Sequence, residues 1–388
     1  MRVLSVSTIF PSADNPGPGV FIKERLLGLP ADVHKEVLRL RPWFPGLSAL
    51  KPRIGNRYSK FEDALGLPVH DREFFYIPGF MKGMDGSFLA RRLRQFINSQ
   101  TQKPDLIDAH FAFPTGFGAC EVGESLGIPV CITLRGTLAS YADDTRRPKL
   151  ITALSKADKI ISVSQSLADL AEDLVGKSLD IRVIGNGIDT KAFAPQDKAE
   201  SRAQLGIERA APMLLTVGGL VPRKGVQRVL DVLPSILKSH PDLIYVVVGG
   251  ASVEGNFEHT LRAKIAELNL EDSVRLEGAV DHHMLPGYYS AADVFCLSTA
   301  NEGWANALQE SLACGTPVVT TDVGGNSEVV GDDLHGLVVP FDDPKALEHA
   351  ILTSLQKEWQ SGEIAKWGRR RSWQDVGKEV ADVFRETQ

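Results

Sequence analysis

The sequence predicts an α/β protein of two domains, each a doubly wound parallel sheet with helices on both faces. The chain has 388 residues, about twice the size of a common domain. Short apolar runs rich in β-branched residues alternate with amphipathic helical stretches, the pattern of a parallel sheet covered by helices. This alternation occurs twice, and a polar, turn-rich segment near residues 190–210 separates the two copies. We expect the two sheets to face each other across a cleft.

The predicted strands follow in order along the chain. In the first half they are residues 2–8, 34–40, 105–110, 129–134 and 159–164, with 181–184 leading out of the sheet. In the second half they are residues 213–219, 243–250, 273–278, 293–298, 317–321 and 336–340. We therefore place an N-terminal domain at 1–195 and a C-terminal domain at 196–370. Residues 371–388 contain an amphipathic helical pattern that could cross back to brace the first domain.

Composition excludes several classes of protein. Hydrophobic residues make up 43% of the chain and charged residues 24%, which is typical of a folded globular protein rather than a disordered or fibrous one. The four cysteines are scattered without a metal-type spacing, so we expect a reducing, cytoplasmic location and no bound metal. The first residues lack the pattern of a signal peptide, and no apolar stretch reaches membrane-spanning length.

Charge is divided unevenly between the two halves. The net charge is −6, but residues up to 195 carry more basic than acidic side chains and the remainder carries more acidic ones. Basic residues concentrate in segment 51–60 and in the helical segment 89–97, which contains Arg91, Arg92 and Arg94. This helix is either an ordinary solvated face or a surface for anionic lipid or a phosphate-bearing acceptor, so peripheral contact with the inner face of the cytoplasmic membrane is one expectation. No nucleic-acid partner is expected.

Glycine-rich turns after strands are candidate ligand sites, because open parallel sheets bind ligands beyond the carboxyl ends of their strands. Residues 11–21 follow the first strand and contain Gly17 and Gly19, which would let backbone approach a ligand; a plain solvent loop is the alternative. The segment is not GxGxxG, which weakens a dinucleotide-cofactor interpretation. The chain also lacks GxxxxGK[ST], which excludes the phosphate-loop NTPases.

Segment 216–226 opens the second domain with a strand, a glycine pair and two cations before an apolar helix. Arg223 and Lys224 at the mouth of such a unit could clamp a diphosphate, with Gly218 allowing close approach. An exposed Arg-Lys pair in a turn is the alternative.

The strongest pattern spans residues 298–330. Glu302 and Glu310 stand at a strand-to-helix junction and on the second turn of the following helix. Paired carboxylates often serve as acid and base, but the helix start at 303–306 instead suits hydrogen bonds to sugar hydroxyls and phosphate. Binding roles are therefore favoured for both carboxylates.

The stretch from Glu302 to Glu310, continued by 313–328, closely resembles the EX7E signature of retaining glycosyltransferases of family four. That family has the GT-B fold of two Rossmann-like domains. Other matches lie in the same order along nearly the whole chain: 105–110 ending in His110, 157–167 with Ser164, 183–193 with Asn186 and Asp189, the Arg223-Lys224 loop, Gly249, 276–280 and 290–299.

The resemblance implies a nucleotide-diphosphate sugar held mainly by the second domain and an acceptor held mainly by the first. Arg223 and Lys224 would neutralise the diphosphate, Glu310 would bond the ribose and Glu302 the transferred sugar. The remaining implied donor-binding residues are Gly17, Gly19, Gly218, Gly278, Val280, Gly303, Trp304, Ala305 and Asn306. The leaving phosphate would itself help deprotonate the acceptor hydroxyl, so no enzyme nucleophile is expected.

The chain departs from the family pattern at two places. Arg135-Gly136 stands where many members have His-Gly, and Arg135 would contact phosphate or a sugar hydroxyl rather than act as a base. Trp304-Ala305 replaces the commoner Phe-Gly, which concerns the fit around the donor sugar. No DxD motif occurs, so neither a metal nor another cofactor is expected. His110 is either a catalytic group or a satisfied core residue.

The predicted function is that of a retaining glycosyltransferase. It would move a sugar from a UDP- or GDP-sugar to a hydroxyl of a glycan or polyprenyl-linked acceptor, in cell-envelope or exopolysaccharide biosynthesis. The alternatives are a nucleotide-sugar epimerase on the same fold, a non-catalytic nucleotide-sugar-binding relative and an NAD(P) dehydrogenase. Arg135 in place of His argues against the epimerase. The non-catalytic relative is disfavoured because the chain has the complete set of Arg223, Lys224, Glu302 and Glu310. The missing glycine fingerprint argues against the dehydrogenase.

Overall fold

The computed structural model describes residues 1–12, 17–45, 61–62, 66–77, 82–142, 144–208, 210–252 and 254–387. The chain divides into two compact units, Met1–Gly187 with Trp373–Gln388 and Ile188–Ser372. The division thus falls before the boundary at 195/196 drawn from the sequence. Ile188 N donates to Arg371 O at 3.1 Å, and Phe193 is buried in the core of the second unit. The basic segment 51–60 lies outside the described residues.

The first unit contains an eight-stranded sheet of order β3-β4-β2-β1-β5-β6-β7-β8. Its neighbouring strands are parallel except for the antiparallel pair β3–β4. The strands are β1 (Arg2–Ser7), β2 (His34–Trp43), β3 (Phe61–Glu62), β4 (Val69–Phe75), β5 (Leu106–His110), β6 (Val130–Leu134), β7 (Lys159–Ser162) and β8 (Ile181–Val183). Strands β3 and β4 were absent from the sequence prediction.

Seven helices cover this sheet in the described part of the first unit: α1 (Val20–Gly28), α2 (Asp85–Asn98), α3 (Phe117–Leu126), α4 (Thr137–Tyr141), α5 (Arg147–Lys156), α6 (Gln165–Val175) and α15 (Trp373–Arg385). Helix α15 comes from the end of the chain and packs on α1. A Cβ atom on Gly377 would lie 2.0 Å from Gly28 O, so the two backbones touch where neither residue has a side chain.

The second unit contains a six-stranded parallel sheet of order β11-β10-β9-β12-β13-β14. Its strands are β9 (Met213–Val217), β10 (Ile244–Val248), β11 (Val274–Gly278), β12 (Val294–Leu297), β13 (Val318–Thr321) and β14 (Gly336–Val339). Its helices are α7 (Lys198–Gln204), α8 (Val226–Ile236), α9 (Glu258–Glu267), α10 (Leu285–Ala291), α11 (Asn306–Ala313), α12 (Asn326–Val330), α13 (Pro344–Gln356) and α14 (Ser361–Gly368). Alternate residues of the central strands enter separate cores on the two faces, with Leu215 and Phe295 on one and Leu214 and Val294 on the other.

Both sheets have the doubly wound order that creates a binding edge. The strand order reverses at β1/β5 in the first unit and at β9/β12 in the second. Loops that leave neighbouring strands in opposite directions open a crevice at the carboxyl ends of those strands. The predicted ligand loops therefore lie at the point of each unit that the topology favours for binding.

Candidate active site

In the second unit, the loops that follow β9 and β12 contact each other, and these are the two strands between which the strand order reverses. After β9 the chain forms a short 3₁₀ turn, Pro222–Lys224, and then enters α8, whereas residues 298–305 connect β12 to α11. Ala300 N donates to Arg223 O at 2.8 Å, and Ser298 Oγ donates to Gly225 O at 2.7 Å. The cations of the first loop are thereby fixed beside the carboxylate of the second.

Arg223, Lys224 and Glu302 form one ionic cluster. Lys224 Nζ donates to Glu302 Oε1 at 2.7 Å, and Arg223 Nη1 reaches the same oxygen at 3.0 Å. Arg223 also binds Glu254 through Nε and Nη2, at 3.0 and 2.6 Å. The Glu254 and Glu302 carboxylates raise the pKa of Arg223, and Arg223 in turn lowers the pKa of Glu254. The two cations are thus matched by two carboxylates.

Two glycines make this loop contact possible. Gly225 has φ +82°, and a Cβ atom there would lie 1.9 Å from Ser298 O. Gly324, which follows β13, has φ +54°, and its Cβ would lie 1.7 Å from Glu302 O. Both positions combine left-handed backbone with direct contact to another loop, so only glycine fits. The backbone of Gly324 therefore packs directly against the backbone of Glu302.

Glu310 has different partners from Glu302. It lies on the second turn of α11, where Tyr289 Oη donates to its Oε2 at 2.9 Å and His282 Nε2 lies 3.6 Å from its Oε1. Burial and the neighbouring Glu310 carboxylate raise the pKa of Tyr289 well above its usual range, so its hydroxyl keeps its proton. Sequence reasoning missed Tyr289 and gave His282 no role, because neither residue stands in a recognisable spacing with Glu310.

The other predicted donor-binding residues of this unit surround the same edge. A Cβ atom on Gly218 would lie 3.5 Å from Lys224 Cδ. Gly278 ends β11 with φ +75°, and its carbonyl accepts from Gly249 N at 2.8 Å, while Val280 packs against the core. Residues Gly303, Trp304 and Ala305 lead into α11, which begins at Asn306. The Trp304 indole Nε1 donates to Gln309 Oε1 at 2.9 Å and so holds this entry in place.

His110 belongs to a buried polar cluster of the first unit. It ends β5 with no exposed surface, and its Nε2 lies 2.9 Å from Ser5 Oγ and 3.2 Å from Asp108 Oδ2. Arg25 binds both oxygens of Asp108, at 2.7 and 2.6 Å. Burial, reinforced by the Arg25 charge and opposed by Asp108, lowers the pKa of His110 to about 4. His110 is therefore uncharged at neutral pH and enclosed by protein.

The remaining first-unit candidates are Arg135, Gly17 and Gly19. Arg135 follows β6, is 5% exposed, and stacks on the Phe21 ring at 4.5 Å. Gly19 caps α1 with φ +77°, and its Cβ would lie 3.0 Å from Ile9 O, whereas Gly17 has open space around it. The structure thus groups the predicted residues in two sets, one at the carboxyl edge of each sheet.

Comparison with known proteins assigns the family. Residues 197–371 match the model of "Glycosyl transferases group 1", and residues 53–192 match that of "Glycosyltransferase Family 4". A D-inositol 3-phosphate glycosyltransferase of Frankia alni is 30% identical over 71% of this chain and 72% of its own length. The chain belongs to the group 1 glycosyl transferases. This glycosyltransferase is also 29% identical to a putative teichuronic acid biosynthesis glycosyltransferase of Bacillus subtilis, over 94% of the chain and 92% of that protein.

Solved structures confirm the fold of the glycosyltransferase. Sucrose-phosphate synthase from Thermosynechococcus elongatus matches with a TM-score of 0.77 and 22% identity over 99% of this chain and 98% of its own. Anabaena HepE, crystallised with UDP, matches with a TM-score of 0.77 and 19% identity over the whole of both chains. The predicted GT-B fold, with two Rossmann-like parallel-sheet domains, is confirmed.

The described parts of the glycosyltransferase show neither a cluster of three or more potential metal-ligating His, Cys, Asp or Glu side chains nor a helix long and apolar enough to cross a bilayer. Chemically, the second unit offers two cations whose carboxylate partners an incoming anion could replace, and a carboxylate, Glu310, held ready to accept hydrogen bonds.

Proposed function

We propose that this glycosyltransferase moves a sugar from a UDP- or GDP-sugar to a hydroxyl of a glycan or polyprenyl-linked acceptor, with retention of configuration. The observation that carries the proposal is the Arg223–Lys224–Glu302 cluster at the reversal point of the second sheet. The UDP complex of Anabaena HepE supports a nucleotide donor. The similarity to the Bacillus subtilis teichuronic acid glycosyltransferase supports a role in envelope or exopolysaccharide biosynthesis.

The cluster has the chemistry that departure of a nucleoside diphosphate needs. As the bond from the sugar to the diphosphate breaks, negative charge grows on the leaving phosphate, and Lys224 and Arg223 would stabilise it. Glu302, released from these cations, would accept hydrogen bonds from hydroxyls of the transferred sugar, and Glu310 from those of the ribose. The acceptor oxygen would form the new bond on the face that the diphosphate leaves, and its proton would pass to the leaving phosphate. Two fixed cations supply the charge that a metal provides elsewhere, so we propose a metal-independent reaction.

The first test combines ligand binding with activity. Melting temperatures are measured with UDP, GDP, ADP and NAD(P), for the wild type, for Lys224→Ala and for the control Lys366→Ala, whose side chain is exposed. A saturating ligand at a hundred times its dissociation constant adds about 2.7 kcal/mol of stability. We expect UDP or GDP to stabilise the wild type and the control but not Lys224→Ala. Stabilisation by NAD(P) alone, or a donor sugar that is epimerised without an acceptor, would contradict the proposal.

We propose in addition that the first unit touches an anionic membrane surface from which a polyprenyl-linked acceptor would be taken. Trp43 and Phe75 are neighbours at the ends of β2 and β4 and are 43% and 38% exposed. Phe88 of α2 packs on Phe75 at 5.3 Å, and Arg91 is exposed one turn further along α2. Exposed aromatic side chains beside a cation are typical of a surface that enters the headgroup region.

Liposome sedimentation tests the membrane contact. We expect binding to vesicles containing anionic lipid and less binding to neutral ones, with a loss in Trp43→Ala/Arg91→Glu. Arg262→Glu, an exposed position of the second unit, is the control for net charge. Equal binding of both variants would exclude this surface without affecting the donor proposal.

A further inference from the structure

Unpaired buried polar atoms gather at the carboxyl edge of the first sheet. Within the described residues, five buried side-chain atoms of this region have no hydrogen-bond partner: Arg25 Nε, His110 Nδ1, Thr115 Oγ1, Arg135 Nε and Arg135 Nη2. Native proteins leave few such atoms, because an unpaired buried polar atom lowers the stability of the fold. Their concentration beside the ends of β5 and β6 therefore needs a physical reason.

Arg135 is the member whose charge is least compensated. Its Nη1 lies 3.4 Å from Asn186 Oδ1, and its guanidinium stacks on Phe21. No carboxylate of the described residues forms an ion pair with it, and Asp108, whose charge reaches Arg135, is bound by Arg25. Burial and the Arg25 charge lower the pKa of Arg135 well below its usual value, and Asp108 offsets them only in part. The folded protein thus holds a cation in an environment that disfavours it.

The unpaired atoms define the kind of partner that would satisfy this residue. Nε and Nη2 lie on one edge of the guanidinium, from which two parallel hydrogen bonds can reach two oxygens of one oxyanion. The chain uses this edge elsewhere. Arg39 binds the two oxygens of Asp71 through Nε and Nη2, at 2.7 and 2.5 Å, and Arg223 binds Glu254 in the same way. In the described part of the chain, no carboxylate binds the same edge of Arg135.

We propose that Arg135 is a binding residue for an oxyanion, a phosphate or carboxylate group carried by the acceptor, with Asn186 and Phe21 holding the guanidinium. The inference rests on the proposed function, because it assigns a substrate class to the acceptor side of that enzyme. Arg135 lies at the carboxyl end of β6 in the sheet whose reversal point is β1/β5, where parallel sheets bind ligands. A neutral glycan acceptor would leave this edge unpaired, whereas a uronate or phosphate would occupy it.

The experiment measures the melting temperature of the full chain with inorganic phosphate, with free glucuronate and with glucose, each against sodium chloride at equal ionic strength. The variants are Arg135→Met, Arg135→Lys and Lys224→Ala, with the exposed Arg262→Met of the second unit as control. We expect phosphate or glucuronate, and not glucose, to raise the melting temperature by several degrees. A response to phosphate alone indicates a phosphate-bearing acceptor, and one to glucuronate alone a uronate.

The variants distinguish the Arg135 site from the proposed donor site at Arg223 and Lys224. The rise should persist in Arg262→Met and Lys224→Ala, fall strongly in Arg135→Lys and vanish in Arg135→Met. Arg135→Met without ligand should melt no lower than the wild type, because it removes a buried, uncompensated charge. An oxyanion response that is absent in the wild type or unchanged in Arg135→Met would overturn the inference, as would a large loss of stability in Arg135→Met alone.

Failure of this inference is distinguishable from failure of the proposed function. Stabilisation by UDP or GDP that depends on Lys224, without any oxyanion response at Arg135, leaves the donor proposal standing and removes the acceptor class. An oxyanion response that depends on Arg135, without any nucleotide binding, removes the donor proposal and leaves an anion site.

Discussion

Lys224 Nζ lies 2.7 Å from Glu302 Oε1, the same oxygen that Arg223 Nη1 reaches at 3.0 Å. In the proposed reaction, this carboxylate occupies the position on both cations that the donor diphosphate would take. The donor would have to displace it, and the displaced Glu302 would become available to the sugar hydroxyls in the same event. Binding of the donor and release of this carboxylate would then be coupled through one oxygen atom.

This coupling predicts opposite effects of Glu302→Gln on binding and turnover. The neutral amide competes less for Lys224 and Arg223, so we expect UDP to bind about tenfold more tightly, equivalent to about 1.4 kcal/mol. Transfer should fall at least tenfold, because the amide is a weaker acceptor for the sugar hydroxyls. Titration calorimetry with UDP and initial rates at saturating donor separate the two effects. Weaker UDP binding in Glu302→Gln would show that the carboxylate supports the clamp instead of competing with the diphosphate.

Gly324→Ala should displace the same carboxylate by pushing on the backbone of Glu302. The new Cβ would lie 1.7 Å from Glu302 O at a residue with φ +54°, so the Glu302 backbone has to move. We expect a loss of about 1–3 kcal/mol in the free energy of unfolding, measured by urea titration, and a fall of transfer below a tenth of the wild-type rate. Gly362→Ala is the matched control, since a Cβ there meets nothing within 4 Å. Equal effects of the two substitutions would contradict the close packing of Gly324 on Glu302.

Tyr289→Phe should weaken nucleotide binding while leaving the Arg223–Lys224–Glu302 cluster unchanged. The substitution removes the hydroxyl that donates to Glu310 Oε2 at 2.9 Å, so the carboxylate could rotate away from the ribose that we propose it binds. We expect the dissociation constant of UDP to rise about three- to tenfold, the size of one hydrogen bond of about 1 kcal/mol. Tyr288→Phe, at the preceding residue of α10, should bind UDP like the wild type. An unchanged dissociation constant in Tyr289→Phe would separate Glu310 from the nucleotide.

The buried His110 predicts acid sensitivity in a defined range of pH. Burial, with Arg25 reinforcing and Asp108 opposing, lowers its pKa from 6.5 to about 4. The unfolded chain then binds a proton between these values that the folded chain excludes, so stability falls as the pH falls from 6.5 towards 4. The contribution is of order 3 kcal/mol. Urea titrations from pH 4.5 to 7.5 should show this loss in the wild type and a smaller one in His110→Asn. Parallel curves for both would place the acid sensitivity elsewhere.

The sequence pattern predicted most strands but missed β4, whose central residues are polar or charged. Apolar β-branched runs located β1, β2, β5 to β8 and all six strands of the second unit. Strand β4 was missed because its centre, residues 70–73, consists of His, Asp, Arg and Glu. Asp71 is nevertheless buried, since Arg39 from β2 binds both of its oxygens. A hydrophobic pattern cannot reveal a strand whose burial depends on an ion pair with a distant residue.

The site shows the same division. Arg223, Lys224 and Glu302 were predicted to act together, because glycine loops and a family resemblance place them at strand ends. The contact of Tyr289 with Glu310 was not predicted, since it joins two helices through one hydroxyl and has no sequence spacing. The orphaned edge of Arg135 could not be predicted either. It depends on the ion pair between Arg25 and Asp108, which leaves Asp108 unavailable to Arg135. That ion pair results from the packing of distant segments and cannot be read from either segment alone.

Gly377→Ala should destabilise the first unit while sparing nucleotide binding. Helix α15 crosses α1 so closely that a Cβ on Gly377 would lie 2.0 Å from Gly28 O, and backbone cannot yield as a flexible side chain can. Val380 and Phe384 of α15 complete the core around Leu26, so separating the helices would expose apolar surface. We expect a loss of about 1–3 kcal/mol in the free energy of unfolding. The UDP dissociation constant should not change, because Arg223 and Lys224 of the proposed donor site belong to the second unit. Gly362→Ala again serves as control. A lower UDP affinity in Gly377→Ala would show instead that the nucleotide site depends on the first unit.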